Sequence, residues 1–171
     1  MKSNFEQSLK MILHHEGGFV NHRDDPGGAT NLGVTQAVYE DWVDQPVTVD
    51  DMKALTVADV TPIYKRNYWD RSKCDELPSG VDFAVFDLCI NGGVGRGAKM
   101  LQKVVQVPQD GAIGPQTLRA VSNMDPVDII ENYAAEREAF YRRLKTFSTF
   151  GRGWLRRNEE TRLAALKMSG G

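Results

Sequence analysis

Three places near the start of the chain carry side chains that could transfer protons. Glu16 ends an apolar-periodic segment, and the neighbouring pair Asp24 and Asp25 follows on a turn-rich stretch. Thr30 comes five residues after Asp25. A carboxyl group at a helix end beside apolar neighbours is poorly solvated when charged, which favours the protonated, proton-donating acid. Hydrolysis of a glycosidic bond needs such an acid and usually a second carboxylate, so the arrangement is compatible with that reaction.

The spacing of these carboxylates does not by itself decide the chemistry. The chain has 23 acidic residues, so other pairs at a similar separation are expected by chance. Asp24 and Asp25 precede Pro26 and Gly27, where aspartate side chains also suit an ordinary turn. The residues alone therefore leave both an acid–base site and a structural turn open.

A helix followed by a loop must position these groups. Four apolar side chains recur at helical spacing and a pair of glycines follows them: Phe5, Leu9, Ile12, Leu13, Gly17 and Gly18. This pattern predicts a helix from about Ser3 to Glu16, with the Glu16 side chain at the edge of the buried face. Residues 19–34 are rich in Asn, Asp and Gly, which predicts an irregular loop with one short hairpin.

Helix signals dominate the rest of the chain. Thr35, Thr48 and Thr56 each predict a helix start, the last two through a capping-box pattern with aspartate three residues on. The segment from Gly80 to Asn91 is apolar on most of its surface, which predicts a buried central helix. Four more helices are predicted after a glycine-rich break: Ala98–Val105, one from Pro115, Pro126–Thr146, and Trp154–Met168 after a Phe-Gly-Arg-Gly loop. Because strand signals are scarce, we expect a mainly α fold.

The segment from His14 to Thr35, HHEGGFVNHRDDPGGATNLGVT, resembles the signature of glycoside hydrolase family 108. In that signature, Glu-Gly-Gly followed by an aromatic residue supplies the catalytic glutamate. The segment is also similar, more distantly, to the Glu, Asp and Thr arrangement of phage-type lysozymes. The resemblance implies a lysozyme-like helical fold in which Glu16 is the general acid, Asp25 positions water and Thr30 assists it. The interval to the threonine fits better from Asp24, so the choice of aspartate stays open.

Later motifs extend the resemblance. IYKRNYW, at residues 63–69, and VFDLCINGG, at residues 85–93, are similar to other motifs of the family. Tyr64, Tyr68 and Trp69 are candidates for stacking on sugar rings, although core packing is an alternative for such aromatic residues. The further substrate-binding candidates are Asp24, Asn31 and Asn91.

The region from Gly95 onward resembles the peptidoglycan-binding domain that usually follows in this family. Residues 101–121 contain an Asp-Gly-x-x-Gly-Pro-x-Thr turn similar to that of wall-binding repeats, and this turn could instead be scaffold. Pro115 suits the first position of the helix after it. We therefore expect a lysozyme-like catalytic lobe over residues 1–93 and a helical peptidoglycan-binding lobe over residues 94–171.

The resemblance implies a muramidase of the lysozyme type. Such an enzyme hydrolyses the β-1,4 bond between N-acetylmuramic acid and N-acetylglucosamine in the bacterial cell wall. One alternative is a lytic transglycosylase, which uses a single glutamate and no water. Another is a non-catalytic wall-binding or secretion-associated module of the same shape.

Composition argues against several partners and cofactors. The net charge of −2 is unlike that of a nucleic-acid-binding domain. Residues 137–162, however, contain eight basic and three acidic residues, a patch that suits an anionic polymer or a solvated helix face. His14, His15 and His22 lie near Glu16, but the zinc spacing His-Glu-x-x-His is absent. We expect no metal and no cofactor.

The sequence also suggests where the protein acts. Its first 15 residues lack the apolar stretch of a signal peptide, and no run approaches the ~18 apolar residues of a membrane span. These features favour a monomeric phage or prophage endolysin that stays in the cytoplasm until released, with a holin-type export partner, and then acts in the periplasm on the wall. With only two cysteines, Cys74 and Cys89, disulfides are not expected.

Overall fold

The computed structural model describes residues 4–21 and 28–170. Helices make up most of this part of the chain, and its only sheet is a two-stranded hairpin. The prediction of a mainly α fold is confirmed. The chain divides into two compact units, Phe5–Asn67 and a second unit that joins Asn4 to the residues from Tyr68 onward. Among the described residues, no helix is both long and apolar enough to cross a membrane.

The described residues of the first unit form four helices and the hairpin. In chain order they are α1 (Phe5–His15), β1 (Thr30–Asn31), β2 (Val34–Thr35), α2 (Gln36–Val43), α3 (Val49–Ala54) and α4 (Val57–Tyr64). A π-helical turn, Lys65–Asp70, continues directly from α4 and crosses into the second unit. The predicted helix ending at Glu16 is thus confirmed to within two residues.

Threonine caps start the short helices of this unit, as predicted. The Thr35 hydroxyl accepts a hydrogen bond from the Val38 amide at the start of α2. At α3, the Thr48 amide donates to the Asp51 carboxylate (2.7 Å), and the Asp51 amide donates back to the Thr48 hydroxyl (3.1 Å). The hydrogen bonds from Thr48 also hold the pKa of Asp51 below its usual value. These caps satisfy amide groups that the first helical turn cannot pair.

The second unit is built around one buried helix. Its elements are a 3₁₀ turn at Cys74–Glu76 and the helices α5 (Val81–Gly92), α6 (Val94–Val104), α7 (Pro115–Ser122), α8 (Pro126–Arg142) and α9 (Phe147–Ser169). Every residue of α5 from Val81 to Cys89 is buried, and α6, α8 and α9 all contact this helix. The predicted central helix is therefore confirmed.

Two buried carboxylates, Asp82 and Asp87, interrupt the apolar surface of α5. Asp87 binds Arg137 of α8 (2.6 Å) and Arg157 of α9 (2.9 Å) through different carboxylate oxygens. Asp87 and Arg137 have only 1% of their side chains exposed. Burial opposes ionisation of Asp87, but the two guanidinium groups outweigh it and hold its pKa below the usual value. This ion pair fastens α8 and α9 to the central helix.

Two predictions about glycine-rich segments were wrong. The Phe-Gly-Arg-Gly loop before Trp154 is absent, because α9 runs without a break through Gly151 and Gly153. The Phe147 ring lies where a side chain at Gly151 would be, so close packing explains glycine inside this helix. Likewise, α6 begins at Val94 rather than near Ala98. There, Gly97 lies against the Cys89 sulfur and has no room for a Cβ.

Candidate functional site

The hairpin lies against the segment that follows Glu16. Thr30 pairs with Thr35, and Asn31 pairs with Val34 across the two strands. The backbone of Thr30 also exchanges two hydrogen bonds of 2.8 Å with Val20. These contacts fix the short hairpin next to the end of α1, although strands of two residues would not be stable alone.

Glu16 directly follows the last residue of α1. Its amide donates to the Ile12 carbonyl (3.2 Å), so the helical pattern reaches this residue, and its side chain is half-buried. The carboxylate lies over the hairpin turn: a Cβ added to Gly33 would be 3.1 Å from Glu16 Oε2. A group with partial access to solvent, held between a helix end and a turn, can both exchange protons and keep a defined position.

Tyr64 supplies a second oxygen at the same place. Its hydroxyl donates to the Leu32 carbonyl (3.0 Å), and a Cβ at Gly33 would overlap that hydroxyl. The Glu16 carboxylate and the Tyr64 hydroxyl therefore both border the position that a Gly33 side chain would take. Gly33 has φ +75°, a backbone conformation that glycine adopts without strain. Its missing side chain makes room for both oxygens.

The remaining predicted catalytic residues are placed only in part. Thr30 is half-buried on β1, on the hairpin whose turn faces Glu16. Asp24 and Asp25 lie outside the described residues, as does His22. The structure thus brings Glu16 together with the hairpin, and the role of either aspartate stays a prediction.

Asn31 has contacts that give it a structural role. Its side chain is buried, and its amide nitrogen donates to the Met52 carbonyl (2.9 Å) and weakly to the Lys53 carbonyl (3.4 Å). The Lys53 ammonium in turn lies over the Phe19 ring, 5.6 Å from its centroid. Asn31 thereby connects the hairpin to the end of α3.

The aromatic residues predicted to stack on sugars differ in their surroundings. Tyr64 and Trp69 are 2% and 0% exposed, so neither ring has a face that a sugar could cover. Trp69 donates from Nε1 to Asp75 (2.8 Å) and meets the Phe86 ring edge-on. Both rings are packed in the core, so the prediction that Tyr64 and Trp69 stack on sugar rings is wrong. Tyr64 reaches the site through its hydroxyl instead, by the contact described above. Tyr68 is half-buried, and its predicted role stays open.

The turn that resembles wall-binding repeats is internally hydrogen-bonded. Asp110 accepts from the Gln102 side chain (2.6 Å) and from the Ala112 amide (2.9 Å). These bonds also hold the Asp110 pKa below its usual value. Gln102 additionally donates to Thr117 and accepts from the Gly111 amide. The polar groups of this turn are used to hold α6 and α7 together, which supports its scaffold interpretation.

Asn91, the last predicted substrate-binding residue, lies near the end of α5. Its side-chain nitrogen donates to the Asp87 carbonyl (2.7 Å), and the residue is exposed on the rim of a cavity in the second unit.

Sequence reasoning missed Gly33 as the residue that makes room at the site. The only sequence signal for it is the turn pattern Asn-Leu-Gly-Val between two short strands.

Comparison with known proteins assigns the family. The glycosyl hydrolase 108 profile matches residues 9–93, and the profile of a predicted peptidoglycan domain matches residues 96–159. The solved structure of Brucella abortus SagA is 45% identical to this chain with a TM-score of 0.87. The match covers 99% of this chain and 97% of the SagA chain. The chain belongs to the glycosyl hydrolase 108 family.

Membership in the glycosyl hydrolase 108 family gives the site a chemical context. No curated protein matches the chain. Glu16 and the hairpin lie within the residues that match the glycosyl hydrolase profile. The protein is therefore a glycosylase that degrades peptidoglycan and carries a peptidoglycan-binding domain. Among residues 4–21 and 28–170, no three His, Cys, Asp or Glu side chains cluster as metal ligands.

Proposed function

We propose that this protein is a muramidase that hydrolyses the β-1,4 bond between N-acetylmuramic acid and N-acetylglucosamine. The observation that carries the proposal is the Glu16 carboxyl, half-buried at the end of α1 over the bare turn at Gly33. Because the Glu16 side chain is only half-buried, one side of its carboxyl stays accessible from solvent. A sugar chain lying there would present its bridging oxygen to a proton donor.

In the proposed reaction, Glu16 gives its proton to the bridging oxygen as the bond to the muramic acid carbon breaks. The positive charge that develops on the sugar needs a second carboxylate or an activated water molecule. We assign that part to Asp25 or Asp24, with Thr30 assisting. Tyr64, fixed by its bond to the Leu32 carbonyl, would keep the Glu16 side chain from collapsing onto the turn.

Glu16→Gln is the decisive variant, because it removes the proton and keeps the size of the side chain. Purified cell wall is incubated with wild type or variant, and the sugar ends are identified by mass spectrometry. We expect reducing muramic acid ends with wild type and none above background with Glu16→Gln. Glu6→Gln is the matched control, since Glu6 is exposed in the first turn of the same helix and should leave the cutting rate unchanged.

The same assay separates the alternatives. Anhydro ends instead of reducing ends would identify a lytic transglycosylase, and Asp25→Asn would then have little effect. A Glu16→Gln protein that lyses cells as well as wild type would identify a non-catalytic module. The anomer first released reports the stereochemistry: inversion implies carboxyls roughly 6.5–9.5 Å apart, and retention implies about 5–5.5 Å.

A further inference from the structure

A cavity of about 360 Å³ lies within the second unit, where α5 and α6 approach α8 and α9. Its volume is within the range typical of small-molecule sites. The lining residues that matter here are Asn91, Arg96, Phe140, Tyr141, Trp154 and Arg157. None of them has a role in the proposed cleavage reaction, apart from the predicted substrate contact of Asn91.

Three aromatic rings line this cavity, those of Phe140, Tyr141 and Trp154, and the Phe150 ring contacts Trp154 from outside the lining. Phe150 is 55% exposed, and its ring centroid lies 5.8 Å from that of Trp154. Trp154 lies 5.3 Å from Tyr141, which lies 5.8 Å from Phe140. Tyr141 is buried, whereas Trp154 is partly exposed at the cavity and its flat ring suits the apolar face of a sugar.

Positive charge accompanies these rings. The Arg96 guanidinium lies over the Phe140 ring, 4.8 Å from its centroid, and is exposed. Arg157 borders the cavity and shares the single carboxylate of Asp87 with Arg137, so these three side chains together carry one net positive charge. None of the described residues that line the cavity is acidic. The cavity is therefore suited to a ligand that combines an apolar face with an anionic group.

We propose that this cavity binds the peptide-substituted sugar of peptidoglycan, with a carboxylate of the peptide stem held by Arg96 and a sugar ring on Trp154. Peptidoglycan fits because it carries free carboxylates on short peptides attached to N-acetylated sugars. A neutral glycan without peptide would leave the charge of Arg96 unpaired. The inference rests on the proposed function only for the identity of the polymer, and it adds where and through which chemical group the polymer is held.

The test measures binding without cleavage, in the full-length Glu16→Gln protein. The chain has three tryptophans, so a ¹⁵N spectrum shows three indole signals, and Trp154→Phe identifies the signal of Trp154. The peptide-free probe is N,N′-diacetylchitobiose, a neutral disaccharide of N-acetylglucosamine, because free N-acetylmuramic acid would carry a lactyl carboxylate of its own. The peptide-bearing probe is the N-acetylglucosamine–N-acetylmuramic acid disaccharide with a tetrapeptide on its lactyl group. We expect the Trp154 signal to move with the peptide-bearing probe, and the peptide-free probe to bind at least about tenfold more weakly.

Arg96→Gln should weaken binding of the peptide-bearing probe by about tenfold, equivalent to about 1.4 kcal/mol. Arg152→Gln removes the same charge from an exposed position of α9 that does not line the cavity, and it should leave the affinity unchanged. Circular dichroism checks that both variants remain folded. Raising the salt concentration should weaken binding, because the Arg96 charge is exposed to screening.

Several results would overturn the inference. Equal affinity for the two probes would show that the peptide carboxylates are not recognised. An unmoved Trp154 signal, or equal losses in Arg96→Gln and Arg152→Gln, would show that the ligand binds elsewhere or through general charge. These failures are distinguishable from failure of the proposed function, which is judged by whether Glu16→Gln still cuts the wall.

Discussion

Replacing Gly33 by alanine tests whether the hairpin turn sets the position of the Glu16 carboxylate. The added methyl group would lie 3.1 Å from Glu16 Oε2 and would overlap the Tyr64 hydroxyl. That hydroxyl is bonded to the Leu32 carbonyl, and its ring is buried, so it cannot move aside freely. We therefore expect the alanine to displace Glu16 as well as Tyr64.

The substitution should lower both the stability of the fold and the rate of wall cutting, and the loss of rate should be the larger effect. Alanine at φ +75° costs about 1–2 kcal/mol of backbone strain. For a chain of this length, that strain lowers Tm by about 2–8 °C. A catalytic group displaced by about 1 Å can slow turnover about 100-fold. The expected result is a large loss of wall cutting, measured by clearing of a wall suspension, with a small fall of Tm measured by circular dichroism.

Gly111→Ala provides the matched control. Gly111 also has a positive φ (+85°). An added Cβ would meet the flexible Lys99 side chain at 3.2 Å and the Gly95 carbonyl at an ordinary contact distance of 3.6 Å. The control should show a comparable fall of Tm with little change in the cutting rate. Wild-type activity in Gly33→Ala, together with the expected fall of Tm, would refute the reasoning that the turn positions Glu16.

Two further predictions concern the second unit. Asp87→Asn leaves the buried Arg137 guanidinium beside a neutral amide, and should lower the free energy of unfolding at neutral pH by about 3–5 kcal/mol in urea titrations. Burial favours the neutral acid, but Arg137 and Arg157 outweigh it and lower the pKa of Asp87 in the folded protein. The stabilisation of the folded state by the Asp87 carboxylate should therefore be full above the unfolded-state pKa of about 3.9. It should be lost as the pH falls through the lower folded-state pKa. An unchanged difference between wild type and variant down to about pH 2 would contradict this. Burial raises the pKa of the Cys89 thiol to about 11, and Cys74 is also buried, so a thiol reagent at about pH 8 should label neither in the native protein and both in denaturant. Labelling of the native protein faster than its unfolding would show that this core opens locally.

Local signals in the sequence predicted much of the fold. Thr48 and Thr56 start helices because a threonine and an aspartate three residues apart can bond each other's amides, which depends on no distant residue. Helix α1, which ends at His15, and the buried helix beginning at Val81 follow from apolar periodicity. These elements could be predicted because their determinants are neighbours in the chain.

Contacts between distant residues could not be predicted in the same way. Tyr64 meets the turn at Gly33 from 31 residues away, and its hydroxyl, rather than its ring face, is what reaches the site. Asp87 and Arg137 are 50 residues apart, and no local pattern pairs them. Gly151 was predicted to lie in a loop, because the sequence does not show that the Phe147 ring fills the space beside it. Packing decided each of these three cases.

The Asp87 ion pair has a consequence for recombining such enzymes. The peptidoglycan profile begins at residue 96, after α5 has ended, yet the arginines of α8 and α9 depend on a carboxylate within α5. A fragment cut at the profile boundary would retain both cations and lose their shared anion. Chimaeras that exchange the wall-binding half between relatives should therefore be joined upstream of Val81. The exchanged segment then includes α5, whose Asp87 carboxylate pairs with the arginines of α8 and α9.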